Sequence, residues 1–155
     1  MRLRPISALT LTLLIATTAC SSSSDETQSG NSSSDGAKLS AEWTPKLETA
    51  TKAESTICNQ VGDQACAEHL TDIALVVTDL KDAVSEAGGA DAYPRTAKEI
   101  EKIDDAVDAY TDHECLGDEN AGIKGSPCPA DAYAIMAGGS VLKLTLELDE
   151  LKNGG

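Results

Sequence analysis

The sequence predicts an all-α fold, a small up-down-up-down four-helix bundle with two disulfides, preceded by a signal peptide and a disordered serine-rich tether. Three observations favour this architecture. Four segments between residues 40 and 155 repeat apolar side chains at the three- and four-residue spacing of an amphipathic helix. Short connectors separate these segments, which is typical of antiparallel neighbours in a bundle. The segment that precedes them is dominated by serine and other small polar residues.

The N-terminal segment has the layout of a secretory signal peptide. Arg2 and Arg4 provide a positively charged start, residues 6–19 form a short apolar stretch diluted by threonine, and small residues precede Cys20. This stretch is too short and too rich in threonine to be a membrane-spanning helix. Together with the cysteine that follows it, the segment resembles the lipobox of bacterial lipoproteins. It departs from the usual pattern at Thr17, where the family commonly has a bulky aliphatic residue.

The resemblance implies that residues 1–19 are a removable signal peptide and that Cys20 is the first mature residue. Its thiol would receive a diacylglycerol, and its amine a further fatty acyl chain such as palmitate. Two or more acyl chains anchor a protein stably, at ~0.8 kcal/mol per buried methylene. The expected location is therefore the extracytoplasmic face of the cell membrane, with the lipid as anchor. The alternative is a plain secreted protein in which Cys20 stays a free thiol.

Residues 20–39, which begin with the lipidated cysteine, are expected to form a disordered linker. Over residues 21–38 the chain is dominated by Ser, Asp, Gly, Gln and Thr, with almost no apolar side chain to bury. A flexible coil of this length has a root-mean-square reach on the order of 25 Å. It would hold a single folded domain, residues 40–155, away from the membrane.

The chain is strongly acidic, with a formal charge of −14 at pH 7. Removal of the leader, which contains Arg2 and Arg4 but no acidic residue, changes this charge to −16. Nucleic acids and anionic lipid surfaces attract basic proteins, so the composition excludes both as electrostatic partners. The lipid rather than charge must therefore hold the protein at the membrane.

The first two predicted helices differ in the strength of their apolar pattern. The first is the weaker one, with Pro45 at or near its start. Its apolar face consists of Trp43, Leu47, Ala50 and Ile57. The second follows Asp63, its predicted N-cap, and ends before Gly88 and Gly89. Its apolar positions alternate at spacings of four and three: Cys66, Leu70, Ile73, Val77, Leu80, Val84 and Ala87. Trp43 is expected to pack at the start of the first helix.

The third predicted helix starts at a capping box formed by Thr96 and Glu99, with Pro94 just outside the helix. The spacing of the apolar residues that follow matches a helix with one buried face. Its buried stripe consists of Ala97, Ile100, Ile103, Val107 and Tyr110.

The fourth segment has an ambiguous pattern. Between residues 142 and 148, leucines alternate with lysine, threonine and glutamate, as in a strand. Leucine favours helix over strand, so we predict a helix capped by Asp131. One broad apolar face of this helix contains Tyr133, Met136, Val141, Leu144, Leu148 and Leu151. Gly138 and Gly139 within it indicate a kink or the close approach of another helix.

An even number of cysteines follows Cys20, at Cys58, Cys66, Cys115 and Cys128. In an exported chain this indicates two disulfides, for which three connectivities exist. The predicted topology brings all four cysteines to one end of the bundle, opposite the tether. We favour the pairs Cys58–Cys66 and Cys115–Cys128, because each closes a short connector, although proximity leaves a crossed pairing open. The chain has no Phe and only 3% aromatic residues, so its core must consist of aliphatic side chains. Such a core stabilises a small domain only weakly, and two disulfides would add stability.

The longest ordered connector, residues 114–130, is the candidate binding loop. A glycine-rich loop that a disulfide closes at the far end of a bundle is where a binding module presents its contacts. The candidate contact residues are Gly117, Asp118, Glu119, Asn120 and Lys124. The alternative is a simple helix connector of tolerated length.

Two sets of residues offer ligands for a cation, but neither matches a known spacing. Cys66 and His69 lie one helical turn apart and His113 lies close to Cys115, yet no standard zinc finger or ribbon has this spacing. The third helix has an acidic band, formed by Glu101, Asp104, Asp105, Asp108 and Asp112. The band does not follow the calcium-loop pattern, so we expect a solvated face. No metal is therefore expected, and a site at His69 and His113 is the alternative.

The sequence lacks the motifs of common enzyme classes, with no G-x-S-x-G, no glycine-rich phosphate loop and no H-E-x-x-H. We expect a non-enzymatic protein without a cofactor, acting as a binding or structural module of the cell envelope. An envelope or extracellular protein is the expected partner, because a slender bundle leaves little room for a small-molecule cavity. The alternative function is metal or cation binding. A hydrolase would need His69 or His113 beside a carboxylate in a pocket.

Overall fold

The computed structural model of the protein describes residues 38–52 and 56–154. These residues form five α-helices and no β-strand: α1 (Leu39–Thr51), α2 (Gln64–Glu86), α3 (Gly89–Ala92), α4 (Pro94–Asp112) and α5 (Cys128–Asn153). The predicted all-α fold is confirmed, and the four long helices correspond to the four predicted segments. The short helix α3 is an addition that the sequence pattern did not indicate. The signal peptide, Cys20 and residues 21–37 lie outside the described residues, and those expectations stay predictions. The predicted boundary of the linker at residue 39 is one residue too late, because Leu39 is the first residue of α1.

The contacts between helix ends establish an up-down-up-down order. Ser40 at the start of α1 and Arg95 at the start of α4 both bond to acidic side chains at the end of α5, Glu150 and Asp149 respectively. At the other end of α4, the Tyr110 hydroxyl donates to a backbone carbonyl in the connector before α2, at 2.6 Å. Helices α1 and α4 therefore run in one direction, and α2 and α5 run in the other. We call the end of the bundle where α1 begins the N-terminal end.

Both disulfides lie at the opposite end of the bundle, which we call the disulfide end. Cys58 pairs with Cys66 across the connector between α1 and α2, and Cys115 pairs with Cys128 across the connector between α4 and α5. The favoured connectivity is confirmed, and the crossed pairing is wrong. Each bridge ties a connector to the first turn of the helix that follows it, so the bundle is cross-linked where its connectors are longest.

The core is aliphatic, as the composition indicated. Its largest fully buried apolar side chains come from all four long helices: Leu47, Ile73, Val77, Leu80, Ile100, Ile103, Ile135, Leu142 and Leu146. Trp43 is only 6% exposed, and the Lys46 ammonium lies 3.7 Å from the centroid of its ring. The predicted packing of Trp43 against the bundle is thus confirmed, and its ring is covered by core residues and by a lysine.

The helix boundaries differ from the prediction in α1 and agree with it in α2. Helix α1 begins at Leu39, so Pro45 lies inside the helix rather than at its start, and Ile57 lies beyond its end. A proline is tolerated there because it removes only one donor, while the packing of Trp43 and Leu47 holds the helix in place. Helix α2 begins after the N-cap Asp63 and ends before the paired glycines, as predicted.

The capping box predicted for the third helix is wrong. Pro94 is the first residue of α4 rather than a residue outside it, and Thr96 lies within the first turn. The cap comes from α5 instead. Asp149 is fully buried, and its Oδ2 accepts hydrogen bonds from the backbone N–H groups of Arg95 (3.0 Å) and Thr96 (2.9 Å). An acidic group is favourable at the N-terminus of a helix, where donors are unpaired and the dipole is positive.

Helix α5 confirms the choice of helix over strand, but two details of the prediction are wrong. The helix begins at Cys128, so Asp131 lies in its first turn and is not the cap. The predicted apolar face also points the wrong way, because Tyr133, Leu144 and Leu151 are 70%, 57% and 70% exposed. The face that packs in the core contains Ala132, Ile135, Gly138, Gly139, Leu142 and Leu146.

Gly138 and Gly139 explain which face of α5 turns inward. A Cβ atom on Gly138 would lie 2.5 Å from the Cγ1 atom of Ile103 on α4. A Cβ atom on Gly139 would lie 2.9 Å from Ile73 on α2 and 3.0 Å from Thr51 on α1. The predicted close approach is confirmed: the missing side chains let three neighbouring helices contact the middle of α5.

Candidate functional site

The disulfide end is built from two connectors that pack against each other. The Gly117 N–H donates to the carbonyl of Gly62 at 2.9 Å, and a side chain on Gly62 would collide with the Asp118 carbonyl. Ala121, in the middle of the second connector, is fully buried. Gly117 has a φ of 81°, a left-handed conformation that favours glycine. The connector is therefore a packed and cross-linked loop.

The candidate loop residues are divided by this packing. Gly117, Asp118 and Glu119 line a polar pocket of about 240 Å³ between the two connectors, whereas Asn120 and Lys124 do not line it. The Asp118 carboxylate accepts a hydrogen bond from the Asn120 backbone N–H at 2.8 Å, so it stabilises the turn. The five residues therefore do not line one common pocket, and their role as binding contacts stays a prediction.

His113 is paired with Asp131, which the sequence pattern had predicted to cap the last helix. Its Nδ1 atom lies 2.7 Å from Oδ2 of Asp131, in the first turn of α5. The ligand atoms of His113, Cys115 and Asp131 all lie within 4.8 Å of one another. The Cys115 sulfur is bonded to Cys128, so in the oxidised protein the histidine and the carboxylate are the two available ligands. A structural zinc site needs four, so this cluster is incomplete as it stands.

His69 does not join that cluster. It is buried on α2 and lines an open groove of about 660 Å³ between α1 and α2, together with Lys46, Lys52 and Asp72. Its ring has no hydrogen-bond partner among the described residues. A general base needs a partner that orients it, and a metal shared by His69 and His113 would need both rings in one site. His69 therefore lies at the edge of the core, beside the groove between α1 and α2.

A groove between α2 and α4 is an apolar concave surface at the disulfide end. We call it the α2–α4 groove; its volume is about 370 Å³. Residues from both helices and the following connector line it, among them Leu70, Ala74, Leu75, Val107, Tyr110 and Leu116. Leu75 and Leu116 are 60% and 52% exposed at its rim. Tyr110 is held in its wall by the hydrogen bond to the Val61 carbonyl, and burial raises the pKa of its hydroxyl.

Sequence reasoning missed the α2–α4 groove, although α2 contains a signal for it. Small residues recur at alternating spacings of four and three on one side of the helix, at Ala67, Thr71, Ala74 and Thr78. Side chains this short cannot fill the space next to α4, so a depression forms between two helices that touch elsewhere. The apolar pattern alone marks which residues are buried and does not indicate where a helix pair leaves a gap.

The acidic band of α4 is a solvated face, as expected. The Lys81 ammonium on α2 donates a hydrogen bond to Asp104 at 2.6 Å, and this bond together with the charge of Asp104 raises the pKa of Lys81. Glu101, Asp105, Asp108 and Asp112 are all exposed. Within the described part of the chain, these carboxylates are not among the residues that gather three ligand atoms.

Comparison of the chain with known protein families, curated proteins and solved structures found no match. Over the residues that the structure describes, none of the helices combines the length and the apolar character that crossing a bilayer requires.

Proposed function

We propose that the protein is an extracytoplasmic lipoprotein, anchored to the cell membrane through Cys20, whose helical bundle is a non-catalytic binding module of the cell envelope. The observation that supports it best is the α2–α4 groove, an apolar depression with two exposed leucines at a disulfide-locked end of the bundle. Helix α1 begins at the opposite end. A lipid at Cys20 would therefore hold the N-terminal end towards the membrane and leave the groove facing outward.

The occupant that fits this groove is an exposed segment of another protein, with one or two apolar side chains flanked by basic residues. A volume of about 370 Å³ accepts a few side chains rather than a folded domain. Glu114 lies at the rim, and the chain as a whole has a formal charge of −14. Charge complementarity would increase the association rate of a basic partner and make that rate fall with salt.

The arrangement of the histidines supports a binding role over a hydrolytic one. His113 and Asp131 form a histidine–carboxylate pair, but the His113 side chain is 42% exposed and lies on the surface. Among the described residues, no serine, threonine or cysteine side chain bonds to the second nitrogen of this ring. Nucleophilic catalysis needs that third group within hydrogen-bond reach of the base.

Site-specific photo-cross-linking in intact cells of the native host tests the groove. A photoreactive residue at Leu116, which lines the groove, should give a discrete adduct with a protein of the envelope. The matched control is Ile123, which is 58% exposed in the same connector and does not line the groove. Leu116→Asp should abolish capture by a probe placed at Leu75. Equal adducts from both positions, or capture that strengthens with salt, would contradict the proposed partner.

The anchor has its own test. Intact-mass spectrometry of protein from the native host should show a chain that begins at Cys20 and is heavier by its acyl groups. Cys20→Ser should release the protein from the membrane fraction without changing its helical circular dichroism. A chain that retains Met1 and has free thiols would overturn export, lipidation and the role of the disulfides together.

Metal binding is a second candidate, favoured by the cluster of His113, Cys115 and Asp131. With the Cys115–Cys128 bridge reduced, two thiolates, one imidazole and one carboxylate would amount to four ligands, as in a structural zinc site. Thiol titration and zinc analysis of the purified protein distinguish the two functions. The absence of free thiols favours the binding module, and four reactive thiols with bound zinc favour the metal site.

A further inference from the structure

The solvent-facing side of α5 bears a long apolar stripe, which we call the α5 seam. Its members follow one another at alternating spacings of three and four residues: Ala134, Ala137, Val141, Leu144, Leu148 and Leu151. The four larger side chains are 39%, 57%, 40% and 70% exposed, in the order given. An apolar stripe of this length on a protein surface usually marks an interaction site.

The seam is independent of the core of the bundle. The residues of α5 that pack inside, such as Ile135, Leu142 and Leu146, lie on the other side of the helix and are at most 1% exposed. Helix α5 is therefore apolar on two opposite faces, one of which the fold uses. The exposed leucines contribute little to the packing of the monomer, so the folded bundle offers no reason for their spacing.

We propose that the α5 seam pairs with the same seam of a second copy, forming a parallel homodimer through a short two-helix coiled coil. Apolar residues that alternate at three and four positions have the 3.5-residue repeat of coiled-coil seams, with Leu144 and Leu151 at one core position and Val141 and Leu148 at the other. The seam is about 26 Å long at 1.5 Å per residue. Because α5 is already helical in the folded monomer, dimerisation does not require the free-energy cost of helix nucleation.

Charge favours a second copy and a parallel arrangement. Two acidic chains repel each other over most of their surface. Between residues 140 and 152, however, the positions beside the seam are Ser140, Thr145, Glu147 and Lys152, with no net charge. In a parallel coiled coil, a residue on one flank faces the residue five positions later on the other helix. This register brings Glu147 of each copy to Lys152 of the other. An antiparallel pair would not form these two ion pairs.

The parallel orientation also agrees with the proposed lipid anchor, and this step alone depends on the proposed function. Parallel α5 helices place the N-terminal ends of both bundles on the same side of the dimer. Both tethers could then reach one membrane, and confinement to a surface would raise the effective concentration of the two copies. The Glu147–Lys152 ion pairs and the spacing of the seam support the dimer without any lipid anchor.

Cysteine cross-linking in the full chain tests the orientation. Leu151 lies near the end of the seam, so only a parallel dimer in register brings it beside Leu151 of a second copy. Leu151→Cys should form an intermolecular disulfide in cells that export the chain, seen as a dimer on a non-reducing gel. Leu75→Cys is the matched control, since Leu75 is 60% exposed on α2. Equal dimer yields from both variants would contradict the proposal.

Sedimentation of the full chain with Cys20→Ser, which removes the proposed lipid site, tests the seam itself. The dissociation constant should rise by about tenfold or more in Leu144→Asp, because each copy places a charge in the apolar contact. Leu75→Asp and Leu116→Asp should leave it unchanged. Glu147→Lys and Lys152→Glu should each weaken the dimer, and the double variant should restore it if the helices are parallel.

These experiments distinguish failure of the seam dimer from failure of the α2–α4 groove. A monomer at all concentrations, or a dimer unaffected by Leu144→Asp, refutes the proposal even if Leu116 cross-links to a partner. A dimer in solution together with no adduct at Leu116 refutes the groove and leaves the seam intact. A seam probe at Leu148 that captures another envelope protein in place of a second copy also refutes the homodimer.

Discussion

Replacing Asp149 with asparagine should destabilise the bundle by about 3 kcal/mol, although the two side chains have nearly the same shape. The Asp149 carboxylate is completely buried. Its Oδ2 accepts hydrogen bonds from two backbone N–H groups at the start of α4 and from the Thr96 hydroxyl, at 2.9–3.0 Å. Its Oδ1 accepts one from the Arg95 guanidinium at 3.1 Å. This single side chain therefore joins the end of α5 to the start of α4.

The expected loss of unfolding free energy follows from the hydrogen bonds that an asparagine amide can still accept in that position. Its oxygen can take the place of Oδ2, but hydrogen bonds to a charged acceptor are stronger than neutral ones by ~1 kcal/mol each, and three are affected. The amide nitrogen must then face the Arg95 guanidinium, where one donor opposes another. The helix dipole of α4 also loses its counter-charge. A loss of ~3 kcal/mol is a large part of the roughly 5–15 kcal/mol that stabilises a domain.

Urea unfolding at neutral pH measures this change directly. Trp43 is the single tryptophan of the chain and lies in the core, so its fluorescence reports the transition. The matched control is Asp104→Asn, which breaks an exposed ion pair with Lys81 and should cost ~0–1 kcal/mol. If Asp149→Asn lowers the unfolding free energy by less than about 1 kcal/mol, or by no more than the control does, the buried carboxylate does not cap α4.

Three further predictions concern packing, pH and cross-linking. Gly138→Ala should destabilise by ~1–3 kcal/mol because its methyl group collides with α4, whereas Gly122→Ala, which meets no atom, should change urea stability by less than ~0.5 kcal/mol. Burial raises the pKa of Tyr110, so the folded state holds a proton that the unfolded state loses; stability should fall as pH rises above ~10. Burial also raises the pKa of Tyr93, so Tyr110→Phe should lessen the alkaline decline in urea midpoints without removing it, and an unchanged slope would assign the decline to other groups. Serine at both Cys115 and Cys128 should lower the unfolding free energy by ~2–5 kcal/mol, measured by urea, and no loss would show that the packed connector alone is sufficient.

The helices themselves could be predicted because their signals are local. In α2, every apolar residue from Cys66 to Val84 on the predicted stripe is buried, and the paired glycines end the helix where expected. Gly88 has a φ of 111°, which is unfavourable for other residues and ends the helix at that point. The sequence also favoured the observed cysteine pairs, because each closes a short connector, but it left a crossed pairing open, and only the structure decides between them.

The start of α4 could not be predicted in the same way. Thr96 and Glu99 have the spacing of a capping box, yet the donors at the start of the helix are satisfied by a carboxylate more than fifty residues away in the chain. Local patterns contain no information about a partner that only the packed bundle brings near. The same holds for the contact between His113 and Asp131, which lie on different helices.

The sequence by itself determined that there are four long helices, which local cysteine pairs are favoured and that the chain is acidic. Tertiary structure alone decided which side of α5 is buried, because leucines occupy both sides and their periodicity fits either choice. Gly138 and Gly139 settle it, since only the face with the missing side chains allows α4, α2 and α1 to approach. The leucines on the other face remain exposed as the α5 seam. The α2–α4 groove also depends on tertiary structure, because the small side chains of α2 leave a gap only where α4 lies beside them.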